Sequence, residues 1–257
     1  MTSEELTKRV LYRDALMIVL DKPAGVPVHE GPRNAVERDE PAPGHSFAPL
    51  TSGLDALRYG LPRRPELAHR LDRDTSGCLV LGRNRAALAR LGEMFKAGAI
   101  GKTYWAVVAG GPDACEGIID LALGRRDRSR GWWMKVDPQG QSAMTRWRVI
   151  GRTSAAAASG TLTALALEPV SGRTHQLRVH CAAMGWPILG DAIYGEAQRS
   201  AEPSLHLHSR RVEVPLYKGR APIRVIAPPP LHMHAALAAC RVEYGVASRE
   251  LDQAQPD

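Results

Sequence analysis

The chain of 257 residues contains no run of about 18 apolar residues, the length a membrane-spanning helix needs. Its opening, MTSEELTKRV, lacks the apolar centre of a secretory signal. A soluble, cytoplasmic protein with no membrane partner is therefore expected. Cysteine is scarce, with four residues at positions 78, 115, 181 and 240. None lies within metal-clip spacing of another, which argues against a zinc knuckle or a disulfide framework and leaves plain buried thiols in apolar stretches. There is no G-x-G-x-x-G and no Walker lysine, so nucleotide binding has no support. Lysine is also rare, 6 residues against 28 arginines.

Arginine is what the chain has in excess. The net charge is +7 and the pI near 9.5. A planar guanidinium fork suits phosphate, and a basic surface favours polyanions. Nucleic acid is thus a leading partner class, beside the plainer reading of a composition biased toward Arg and Ala. The length allows a sizeable core in one large domain or two small ones.

Pattern and punctuation predict strands at 10–12 and 16–20 around a turn at 13–15, stopped by Pro23 and Gly25. Residues 30–50 form a long Gly- and Pro-rich loop, and 51–61 a short helix. A buried strand is expected at 77–82 and an amphipathic helix at 85–96, with Leu88, Leu91 and Phe95 on one stripe. Further strands are expected at 103–108, 118–123, 142–150, 161–167, 205–214 and 223–226. A helix at 173–184 carries Leu177, Cys181 and Met184 on its apolar stripe. A short helix at 235–241 follows the triple proline 228–230. Residues 1–9 read as a disordered lead, 10–241 as one catalytic domain and 242–257 as a tail. Strands outnumber helices and mostly follow one another, which gives an α+β fold with a mixed, mainly antiparallel sheet.

"HRLDRDTSG" at 69–77 packs two Arg, two Asp and one His just ahead of the apolar run 78–81. Desolvating that much charge is unfavourable unless it is paired, so the stretch is either a solvated turn or a site. An Asp before Thr-Ser-Gly commonly caps a turn, and Asp74 is the better candidate for that role. The stretch 125–130 followed by Trp132 and Trp133 mixes cations with aromatics, suiting unpaired bases or a solvated hairpin tip. The pairs His206/His208 and His232/His234, read as strands, each share a face. No carboxylate or Cys completes a metal set there.

Taken together, "HRLDRDTSG", "KTYWAVVAG" at 102–110 and "SGRTHQLRVHCAAMGWPILGD" at 171–191 resemble the RluA family of RNA pseudouridine synthases. So do "VLYRDALMIVLDKPAGVPVH" at 10–29 and "LHLHSRRVEV" at 205–214, in the same order. The resemblance implies a pseudouridine synthase fold, a bent sheet with flanking helices and a central RNA-binding cleft. It implies conversion of uridine to pseudouridine, in which N1–C1′ breaks and C5 bonds to C1′. That reaction is an isomerisation and needs no cofactor and no metal by its stoichiometry. By the same resemblance Asp72 is the catalytic carboxylate, Arg178 its paired cation and Tyr104 the ring at the flipped base. Leu207 helps enclose the base, Arg70 fills the position the base leaves, and His69 and Arg173 complete the substrate-binding set. Each has a bland alternative: a turn Asp, a solvated helix Arg, a core aromatic, a core Leu. The expected partner is RNA, an rRNA or tRNA stem-loop, bound by a monomer. An amino-terminal S4 RNA-binding domain is expected to be missing. The alternatives are a non-catalytic RNA-binding or RNA-folding protein, and a glycosidase, which would want a second flanking carboxylate.

Overall fold

The computed structural model describes residues 2–29, 48–126, 133–153, 160–195 and 204–244. The strands are β1 (Val10–Arg13), β2 (Met17–Lys22), β3 (Glu66–Leu67), β4 (Ser76–Gly82), β5 (Gly101–Ala109) and β6 (Glu116–Asp120). They continue with β7 (Leu123–Arg125), β8 (Met134–Val136), β9 (Met144–Arg152), β10 (Leu162–Pro169), β11 (Leu207–Val214) and β12 (Ile223–Ile226). The helices are α1 (Ser3–Lys8), α2 (Arg85–Lys96), α3 (Gln176–Ala183) and α4 (Leu231–Ala239), with a 3-10 helix at Leu50–Leu57.

The main sheet runs β1-β2-β4-β11-β5-β10-β9-β6, with β3 added to β4 and β12 to β11. Among the described residues every pairing is antiparallel except β4 with β11. β7 and β8 form a separate hairpin. The central strands are apolar on both sides because both faces are covered. Ile18, Leu20, Leu79, Leu81, Tyr104 and Ala106 join one cluster with Leu177 and Cys181 of α3. The alternate residues Met17, Val19, Cys78 and Val80 pack beneath Leu91 of α2. Trp105 and Val107 pack beneath Met233 and Leu237 of α4. Strand side chains alternate faces, so one uninterrupted apolar run serves two cores.

Several expectations need correction. Residues 2–9 of the expected disordered lead are ordered, because Thr2 and Glu5 form a reciprocal capping box that starts α1. Leu6 is then fully buried against Leu54 and Leu57, an apolar burial worth about 2 kcal/mol. The last helix begins at Leu231 rather than 235, since Pro230 is itself its N-cap and a proline tolerates that entry. His232 and His234 therefore lie on a helix, where an i, i+2 pair points to different sides. On α3, Met184 is 45% exposed and leaves the apolar stripe, while residues 176–181 are buried on all sides. The core also extends past 241 to Val242. The stretches 30–47 and 127–132, and residues 245–257 of the expected tail, lie outside the described residues.

Candidate active site

A cleft of about 350 Å³ opens on the face that carries α3. Residues 69–72 and Thr75 line one side, Lys102 and Tyr104 of β5 the floor, and residues 171–178 the other side, with Leu207 at the start of β11. All seven site residues expected from the sequence (His69, Arg70, Asp72, Tyr104, Arg173, Arg178 and Leu207) line this one cavity.

The loop that bears Asp72 is fastened on several sides. The buried Lys22 ammonium donates to the carbonyls of Pro23 (2.8 Å), Val26 (2.8 Å) and Arg73 (2.7 Å). Burial lowers its pKa to about 7, against the opposing charges of Asp74 and Asp72. The Asp72 carbonyl accepts from the Thr75 amide at 3.2 Å. Ser76 Oγ meets His208 Nδ1 at 2.9 Å, and His208 Nε2 donates to the Ala227 carbonyl at 3.1 Å. At Gly77 the backbone turns through φ +101°, and an added Cβ would lie 2.3 Å from the Ser209 carbonyl oxygen. Only glycine fits there, and the parallel contact of β4 with β11 depends on it. Asp74 does not cap the turn; its carboxylate pairs with the neighbouring Arg73 guanidinium at 3.0 Å.

His69 anchors this stretch. Its Nε2 accepts from the Val80 amide at 2.9 Å and its ring stacks on Phe95 at 4.2 Å. Burial, with Lys102 nearby, lowers its pKa to about 3, so the ring is neutral. Arg70 is exposed at the mouth of the cleft, and its guanidinium makes no ion pair with the described residues. Arg173 is also exposed, with Nε donating to the Ser142 carbonyl at 3.0 Å.

Arg178 does not pair principally with Asp72. It is 4% exposed and makes a two-pronged contact with Asp191, Nε to Oδ2 and Nη2 to Oδ1, both at 2.8 Å. Its remaining nitrogen, Nη1, lies 4.0 Å from Asp72 Oδ2. A planar fork can serve two carboxylates at once, and the buried one takes the tighter geometry. Burial disfavours the Arg178 charge, yet the Asp191 hydrogen bonds raise its pKa above the ordinary value. Burial likewise works against the Asp191 carboxylate, and Arg178 with the amides of Ile193 and Tyr194 lowers it below the ordinary value. A helix stripe could not reveal this pair, because Asp191 lies 13 positions away, beyond the end of α3.

Tyr104 is 9% exposed and pairs across the sheet with Ser209 and Leu167. Its ring belongs to the same apolar cluster as Leu71, Leu177 and Leu207. Burial raises its phenol pKa, against the lowering effect of the Ser209 hydroxyl. The ring is therefore both core and cleft wall, and the two readings of a strand aromatic merge.

Four residues not singled out beforehand join the site: Asp191, Lys22, Lys102 and His175. Lys102 is partly buried, two positions before Tyr104 and so on the same face of β5. His175 stands at the entry to α3 with φ +52°, a left-handed conformation. The imidazoles of the two H-x-H pairs are held by backbone carbonyls: His206 by Ser204, His208 by Ala227, His232 by Leu205 and His234 by Pro229. Among the described residues no cluster of three or more His, Cys, Asp or Glu is arranged to hold a metal.

Residues 16–183 match the family described as RNA pseudouridylate synthase. An uncharacterized RNA pseudouridine synthase of Zymomonas mobilis is 38% identical over 227 residues, 88% of this chain and 95% of that protein. The ribosomal large subunit pseudouridine synthase C of Haemophilus ducreyi is 35% identical over 248 residues, 93% of this chain and 71% of that protein. Among solved structures, human RNA pseudouridylate synthase domain containing 1 is similar with a TM-score of 0.71 at 26% identity. That match covers 100% of this chain and 98% of the human one.

Proposed function

The chain belongs to the RNA pseudouridylate synthase family and is an isomerase acting on RNA; from that premise we propose that Asp72 is its catalytic carboxylate and that the cleft receives one uridine turned out of structured RNA. The observation that carries this is the convergence of Asp72, Tyr104, Arg178 and Leu207 on one cavity of about 350 Å³. That volume lies at the lower end of the range for small-molecule sites and suits a single nucleotide rather than a stacked run. A developing positive charge at C1′ calls for a carboxylate, and Asp72 is 23% exposed there with Arg178 behind it. Tyr104 supplies a flat apolar wall for the base and Leu207 closes the pocket beside it. Arg70, exposed at the rim, fills the space the uridine leaves in the RNA stack, and Arg173 contacts the backbone.

The substrate is a compact rRNA or tRNA stem-loop. The large-subunit name of the Haemophilus relative favours rRNA. The protein acts as a monomer. The isomerisation exchanges no electrons or groups with a second molecule, so its stoichiometry calls for no cofactor.

Tritium release from 5-³H-uridine RNA tests this, with bulk tRNA and rRNA in separate reactions and Asp72→Asn alongside. Isomerisation replaces the hydrogen on C5, so release reports the reaction itself. The expected result is release from one pool, abolished by the substitution, with RNA binding and thermal melt retained. Turnover by Asp72→Asn near the parent rate would overturn the role of Asp72. Salt-sensitive RNA binding with no release from either pool would favour a non-catalytic RNA-binding role.

A further inference from the structure

The side chains around Asp72 form a chain of polar contacts that begins outside the cleft with two hydrogen bonds. The Met134 amide donates to Tyr194 Oη at 2.9 Å. Tyr194 Oη lies 2.8 Å from His175 Nδ1. On its other side, His175 Nε2 lies 3.7 Å from Asp72 Oδ2. Arg178 Nη1 approaches that same oxygen, at 4.0 Å.

This order of donors points to one imidazole tautomer. The phenol already accepts from Met134 and keeps its own hydrogen, because burial raises its pKa to about 12. That hydrogen is directed at Nδ1. The ring is neutral, since burial lowers its pKa despite the nearby Asp72 charge. Its single proton then stands on Nε2, facing the carboxylate. The opposite tautomer would take Nδ1 away as an acceptor for the phenol hydrogen and turn a bare nitrogen lone pair toward Asp72.

The backbone gives an independent sign. His175 is one of three non-glycine residues with positive φ among the described ones, and it lies on the wall of the cleft. The conformation is held by neighbours. Gln176 accepts from Ser171 Oγ (2.7 Å) and the Arg173 amide (3.1 Å) and donates to the Met144 carbonyl (2.9 Å) and Thr145 Oγ1 (3.0 Å). The Tyr194 ring meets the imidazole edge to face. Strain kept in place at a site by its surroundings is a pointer to function.

We propose that His175, with its proton held on Nε2 by Tyr194, is the positioning residue for Asp72: with Arg178 it grips Oδ2 and leaves Oδ1 as the oxygen that meets the nucleotide. The inference rests on the reading of Asp72 as the catalytic carboxylate. Distances of 3.7 and 4.0 Å are longer than direct hydrogen bonds, and such contacts commonly tighten when substrate enters. Tyr194 acts only through the imidazole.

Two substitutions test it on the full-length chain. Tyr194→Phe keeps the ring packing and removes the hydroxyl that selects the tautomer. His175→Asn keeps a residue type tolerant of the left-handed backbone and removes Nε2. Both should lower kcat at least about tenfold while KM stays within about twofold, because a misplaced catalytic group affects the transition state more than binding. Side-chain ¹⁵N spectra of histidine-labelled protein give a readout that packing alone does not move. The parent His175 signal, identified by its loss in His175→Asn, should show a neutral ring protonated on Nε2. In Tyr194→Phe it should show a mixture of tautomers. A parent ring protonated on Nδ1, or a kcat unchanged in Tyr194→Phe, would overturn the proposal. Asp72→Asn run beside them separates the two readings. If Asp72→Asn is inactive and both other variants are normal, only the role of His175 fails; if Asp72→Asn is active, the assignment of Asp72 fails with it.

Discussion

Lys22 donates a hydrogen bond to the carbonyl oxygen of Arg73 at 2.7 Å, across 51 positions of sequence. With its bonds to Pro23 and Val26, the ammonium ties the end of β2 to the residue that follows Asp72. Three acceptors require three N–H donors, which among side chains of this length only the protonated amine supplies.

Lys22→Met keeps the length and apolar stem and removes all three bonds. Each carbonyl left without a donor costs about 1 kcal/mol, so a loss of about 3 kcal/mol is expected. Turnover should fall as well, because the loop carrying Asp72 is released. Urea unfolding and tritium release on the same preparation check both; an unchanged unfolding midpoint would show that the amine is not a tie.

Arg178 and Asp191 should behave as a unit. Removing either as Ala leaves a buried charge without its partner and should destabilise by about 3–5 kcal/mol. Removing both should cost less than the sum, with a coupling of about 2 kcal/mol in a double-mutant cycle. Additive losses would mean that Arg178 is held mainly by Asp72.

Asp21, next to Lys22 on β2, gives a pH signature. Burial raises its carboxyl from 3.8 to about 6, with Arg9 and Lys22 opposing. Between about pH 4 and 6 the folded chain holds a proton that the unfolded chain has released, so stability falls as pH rises through that window. Asp21→Asn removes the effect. The variant should be more stable than the parent at pH 7 by up to about 3 kcal/mol, and equal to it near pH 3.5. Equal stability at both pH values would refute this account of Asp21.

Lys102 lines the cleft with no ion-pair partner among the described residues, and desolvation lowers its pKa. A cation in that place suits an RNA phosphate. Lys102→Ala should weaken RNA binding and reduce the slope of log K against log salt by about 1. Weaker binding with an unchanged slope would assign Lys102 to packing.

Much of the secondary structure was legible in local pattern. α2 lies at 85–96 as its apolar stripe implies, and β12 lies at 223–226. α1 was missed although its signal, Thr2 with Glu5 three positions on, is local; it is too short to show an apolar period. The candidate site was legible as a set of residues, because motif order picked out side chains that one cavity gathers.

By itself the sequence determined which strands and helices form, since hydrophobic period and capping act over a few residues, and which residue types the chemistry has at hand. Only the tertiary structure decided their partners. That Arg178 clasps Asp191, that Lys22 reaches Arg73 and that Tyr194 meets His175 are contacts made across the chain after the sheet has closed. No periodicity encodes them, because each depends on where the backbone passes in space and on which buried charge or donor most needs an acceptor there.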